Sequence, residues 1–172
     1  MKEHWVTFAR YNAWANGLVY DHAAGLGTRD YRSDRGAFFK SVHGTLNHML
    51  TTDRIWMKRF TGQGDAPSRL DAVLFETLPE LRVAREAEDA RIIHWVESLE
   101  DADLEKTFQY QRISTPERFE QQLSPALAHF FNHQTHHRGQ LHTLLTSLTG
   151  AGPELDLLIF ERDSGRGARA IG

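Results

Sequence analysis

Four stretches of about twenty residues place apolar side chains at helical spacing, and this repetition constrains the fold more than any other feature of the chain. The first runs from Lys2 to Ala24, with Phe8, Tyr11, Ala15, Leu18, Val19 and His22 recurring and Gly25 and Gly27 as stops. The second is predicted from Phe38 to Phe60, on the stripe Phe39, Val42, Leu46, Met49, Asp53, Trp56 and Phe60, with Gly62 and Gly64 behind it. The third begins near Pro79, a residue that a first helical turn tolerates, and carries Leu81, Ala84, Glu88, Ile92, Trp95 and Leu99. The fourth spans Pro125 to Thr149, ahead of Gly150 and Gly152. Each stripe must be buried against another, which predicts one all-α domain over residues 1–172, a four-helix bundle.

The connections are less regular. Asp30, Arg32, Asp34 and Gly36 read as a polar loop. Phe108, Tyr110 and Arg112, then Ser114-Thr115-Pro116, then Phe119 to Leu123 read as a short β-hairpin or extended excursion. A short helical segment from Leu155 to Arg162 precedes a Gly/Arg-rich tail expected to be mobile.

Composition removes several function classes. Of the 172 residues none is cysteine, so disulfides, zinc–thiolate sites and a cysteine nucleophile are excluded. A net charge of −3 and the lack of a basic stripe argue against a nucleic-acid partner. No run of about 18 apolar residues suggests a membrane span, and the N-terminus lacks the pattern of a signal peptide, so a cytoplasmic protein is expected. Trp5, Trp14, Trp56 and Trp95 are spread over three helices, which suits core and interface better than a cofactor box.

Histidine is the exception to an ordinary composition. There are ten, and His129, His133, His136, His137 and His142 fall within one short stretch. With Leu127 at zero and about 100° per residue, Phe130, Leu141, Leu144, Leu145 and Leu148 define an apolar arc from roughly 260° to 360°. His133 at about 240° and His137 at about 280° lie at or on that arc, whereas His129, His136 and His142 fall near 200°, 180° and 60°. One buried histidine is ordinarily a hydrogen-bonded packing residue. Two stacked at i, i+4 are harder to satisfy that way, because both cannot be charged there cheaply. That spacing lets two imidazoles converge on one ion. His129, His136 and His142 read as exposed positions or as donors to a ligand ring, and His4, His22 and His94 as surface or boundary packing.

A stable site needs a third ligand from a neighbouring helix. The second helix offers His43 and His48, and spacing alone does not choose between them. Asp53, in mid-stripe, is either a partner of a ligating ring or a structural hydrogen-bonder. Arg138 could orient an anionic substrate, but it points about 100° away from His137.

The segments YNAWANGLVYD, SVHGTLNHMLTTDRIWMKRFTG and HFFNHQTHHRGQLHTLLTSLTG resemble the DinB family of damage-inducible bundle proteins. The likeness implies an up-down-down-up bundle and a divalent metal ion (zinc, nickel or iron) held by His48, His133 and His137. It also points to a homodimer. Three neutral imidazoles leave a coordination position open, as in catalytic sites. The expectation is a metal-dependent enzyme acting on a small molecule, either hydrolase-like or a transferase using an external low-molecular-weight thiol. The alternative is a stress-associated metal- or ligand-binding bundle without turnover.

Overall fold

The computed structural model describes residues 1–113, 115–165 and 167. Ser114 of the expected turn and residues 166 and 168–172 of the expected mobile tail lie outside them.

Four long helices carry the fold: α1 (Lys2–Ala24), α3 (Val42–Thr61), α4 (Leu78–Ser98) and α5 (Leu123–Thr149). Two short ones, α2 (Thr28–Arg32) and α6 (Leu157–Asp163), lie in the connection after α1 and near the end of the chain. Their ends follow local chemistry. Ser41 caps α3 by accepting the Gly44 N–H at 3.1 Å. Thr77 caps α4, and its hydroxyl reaches Glu80 at 2.6 Å. Gly62 and Gly150 close α3 and α5 at φ of 71° and 79°, where a side chain would be strained.

Two sequence expectations are corrected. The second long helix starts at Val42, not Phe38, because the Ser41 cap fixes its first turn; Phe38 is 83% exposed in the preceding loop. The polar loop after α1 contains the single helical turn of α2. The excursion before α5 is a 3₁₀ turn (Asp101–Glu105) and an antiparallel hairpin of β1 (Thr107–Gln111) and β2 (Arg118–Gln122), with Thr107 opposite Gln122. Arg59 of α3 docks the hairpin, its guanidinium lying over Trp56 and Tyr110 and donating to the Gln111 carbonyl at 3.2 Å.

Cross-helix contacts give the topology. Arg10–Glu97 and Arg82–Asp21 make α1 and α4 antiparallel, and Trp56–His129 with His48–His137 does the same for α3 and α5. Asp53–Arg85 and Phe60–Trp95 run α3 and α4 parallel, and Trp5–Phe131 with Asn12–Arg138 does so for α1 and α5. The bundle is up-down-down-up.

Its core has two main apolar halves. One contains Val6, Met57, Ile92, Val96, Leu127 and Phe130, and the other Val19, Leu46, Leu50, Leu81, Leu141 and Leu145. Each such side chain contributes roughly 1.5–3 kcal/mol by leaving water. Between the halves lies a belt of buried polar groups from all four long helices. Asp53 pairs with Arg85 at 2.6 Å, and Arg85 pairs with Asp89 at 2.9 Å. Asn16 donates to Asp89 at 3.1 Å, Arg138 donates to Asn12 and Asn16, and Gln134 donates to Asp53. Burial pushes the Asp53 carboxyl up while the Arg85 charge pulls it down. No helix is long and apolar enough to cross a membrane, among the described residues.

Candidate metal centre

The antiparallel α3 and α5 bring His48 opposite the stacked pair on α5. His48 Nε2 lies 3.1 Å from His137 Nε2, which lies 3.1 Å from His133 Nε2. Ligand atoms of the three histidines all fall within 4.8 Å of one another. Among the described residues no other group of three histidine, cysteine or acidic side chains is so placed. His48 and His137 are buried and His133 is half-buried.

The outer nitrogens decide the protonation. His48 Nδ1–H donates to the Leu70 carbonyl at 2.7 Å, and that oxygen can only accept. His137 Nδ1–H donates to Gln140 Oε1 at 2.9 Å, whose amide nitrogen in turn donates to His136 Nε2 at 3.1 Å. Neutral His48 and His137 therefore face each other with two lone pairs and no proton between them. Burial first, with the neighbouring imidazoles adding to it, holds His133 down to about 3. Burial likewise lowers His48 to about 4, against the opposing pull of its Leu70 bond. Burial also lowers His137. Two facing neutral acceptors, with a third imidazole nitrogen 3.1 Å from one of them, fit a cation. Two nitrogens each about 2.0–2.1 Å from one ion, at angles near 90–110°, would sit about 2.9–3.4 Å apart.

The loop between α3 and α4 explains why His48 rather than His43 reaches this point. His43 Nε2–H donates to the Phe75 carbonyl at 3.1 Å, and its ring packs edge-on against Tyr31. Asn47 accepts the Leu74 and Phe75 N–H groups at 2.8 and 3.1 Å, and Thr51 donates to the Ala72 carbonyl at 3.3 Å. One face of α3 thus ties down residues 70–75, and the same loop orients His48.

The other candidates separate cleanly. Asp53 partners Arg85 and Gln134, not a ligand ring, so of its two readings the structural one holds. Arg138 is buried in the belt, held by Asn12 and Asn16. His142 Nδ1–H donates to the Pro153 carbonyl at 3.0 Å, and His129 packs on Trp56. A cavity of about 630 Å³, lined by Tyr11, Arg138, His142 and Leu155 among others, contains none of the three histidines. Sequence reasoning missed Gln140, although its i, i+3 spacing from His137 was readable, and the Leu70 carbonyl, which carries no sequence signal.

The model of the DinB family matches residues 1–167. The chain belongs to the DinB family. Protein DinB of Bacillus subtilis (strain 168) is 29% identical over 145 residues, spanning 78% of this chain and 80% of that relative. The DinB assignment agrees with the bundle topology, and it places the histidine cluster in a chain that matches the family along nearly its whole length.

Proposed function

We propose that this DinB-family chain is a metal-dependent enzyme acting on a small molecule, with His48, His133 and His137 as the ligands of one divalent ion. The observation that carries the reading is the pair of facing Nε2 lone pairs whose partner Nδ1 protons are already committed to Leu70 and Gln140. A divalent ion held by neutral imidazoles alone keeps its full charge and an open position, and supplies Lewis acidity toward a water, thiol or carbonyl. The chain's part is to hold the three rings neutral and aimed. The Leu70 carbonyl and Gln140 fix the tautomers of His48 and His137, and burial keeps the rings unprotonated. His129 and His136 flank the ligands, with ring centroids 5.9 Å from His133 and 4.8 Å from His137. A thiol-transfer reaction would take its sulfur from an external thiol, since the chain has no cysteine.

Metal analysis on untagged protein beside His137→Ala tests this reading. About one equivalent of zinc, nickel or iron is expected in the wild type and none in the variant, with helical circular dichroism equal in both. The metal found then directs screens for hydrolysis and for transfer from added thiols. No metal in the wild type after reconstitution would sink the proposal.

A further inference from the structure

We propose that residues 34–41 form a strap over the histidine cluster and that Phe39 is a positioning residue for His48 and His137. This rests on the metal reading above.

The Phe39 ring stacks on the His48 imidazole with centroids 3.7 Å apart and planes at 17°, and meets His137 edge-on at 5.6 Å. It therefore touches ligands from both helices. The Leu70 hydrogen bond fixes one edge of His48 but leaves the ring free to rock about that bond. A flat face laid against the imidazole removes this freedom and holds the Nε2 lone pair on the point where the three rings converge.

The backbone that delivers this ring is strained and tightly tied. Lys40 has φ of 68°, the one non-glycine residue with positive φ among the described residues. The Ser41 N–H donates to the Phe39 carbonyl at 2.8 Å across Lys40, a γ-turn of the rare positive-φ kind. The Lys40 N–H donates to Ala37 and its carbonyl accepts from Arg35, both at 2.8 Å. Strain of this kind persists only where surrounding contacts over-determine it, and it clusters at functional sites.

The strap also needs a seat. A Cβ on Gly44 would overlap the Phe39 carbonyl oxygen, so only glycine in the first turn of α3 lets the strap lie down. On its far side the strap walls a cavity of about 500 Å³, lined by Phe38, Phe39, Lys40, Gly44, Ala72 and Val73. That cavity gives the Phe39 ring room to leave His48. The strap thus has a seated state that aims two ligands and a lifted state that releases them.

Cobalt(II) tests the idea, because its visible d–d absorption reports ligand geometry without any turnover. Wild type, Phe39→Leu, Phe39→Tyr and Gly44→Ala are loaded with cobalt, and the rate of loss to a chelator is followed. Leucine keeps the apolar contact but loses the flat face, whereas tyrosine keeps the face. Phe39→Leu is expected to shift the absorption band and release cobalt about tenfold faster or more. Phe39→Tyr should stay within about twofold of the wild type, and Gly44→Ala should behave like Phe39→Leu with every ring intact. If Gly44→Ala loses its helical circular dichroism, the two Phe39 variants decide. A Phe39→Leu protein with wild-type band and release rate overturns the inference. A wild-type chain that takes up no cobalt removes the metal reading itself, and the inference with it, before any variant is made.

Discussion

The charged belt and the histidine cluster are both polar clusters at mid-height in the bundle, and they are built on opposite principles. In the belt Asp53, Arg85 and Asp89 form ion pairs, and Asn12, Asn16 and Gln134 link them to Arg138 and to one another through donors and acceptors. In the cluster His48 and His137 turn acceptors toward each other, their protons pointing outward to Leu70 and Gln140, and His133 Nε2 lies 3.1 Å from His137 Nε2. The belt holds donors and acceptors together, with two carboxylates beside two guanidiniums. The cluster has two lone pairs facing each other with no donor between them. Helix α3 contributes to both, with His48 in the cluster and Asp53 in the belt little more than one turn apart. Burial alone therefore does not tell a structural polar group from a ligand. The balance of donors and acceptors does.

The contrast is broken most forcefully at the belt. Asp53→Ala leaves Arg85 buried with a lost partner, and metal-free protein is expected to lose about 3–5 kcal/mol in urea unfolding. A loss near zero would mean that the belt does not hold the helices together. The cluster should behave in the opposite way, gaining from what is added. Zinc at a hundred times its Kd is expected to raise the unfolding free energy of the wild type by about 2.7 kcal/mol, and that of His137→Ala not at all. Equal stabilisation of both proteins would place the ion elsewhere.

Smaller changes sharpen the comparison. Gln140→Ala, which frees the outer nitrogen of His137, should weaken metal binding about 10- to 100-fold in a chelator competition. His43→Ala should leave that affinity unchanged, because His43 serves the Phe75 carbonyl. A further effect is in pH. Folding lowers His48 and His133 from 6.5 to about 4 and 3, so as pH falls the unfolded chain takes up their protons first. Stability linked to these rings is complete above pH 6.5 and drains away as pH drops toward 4 and 3. Metal-free wild type should therefore lose stability more steeply than His48→Ala below about pH 6, with parallel curves above about pH 7.

Much of this architecture was legible in the residues. Helical periodicity placed the four long helices and put His133 and His137 on the inner arc of α5, because burial of a stripe is a local pattern. The start of α3 was misplaced because Phe39 continues the stripe's spacing while serving as a cover for His48, a distinction that periodicity cannot draw. His43 and His48 could not be separated by spacing, since both are buried. What divides them is which carbonyl of the loop after α3 each one meets, and loop geometry leaves no periodic trace. Gln134 falls inside the apolar arc of α5 and Arg138 just beyond its edge, and their burial becomes intelligible only with their partners on α1 and α3 in view.

The separation of belt from cluster bears on the history open to such a chain. The belt joins all four long helices without any of the three histidines. An exchange at the cluster therefore leaves the ties between the helices in place. Selection could then act on the chemistry of the centre with the scaffold held fixed, so that a single bundle could host successive reactions.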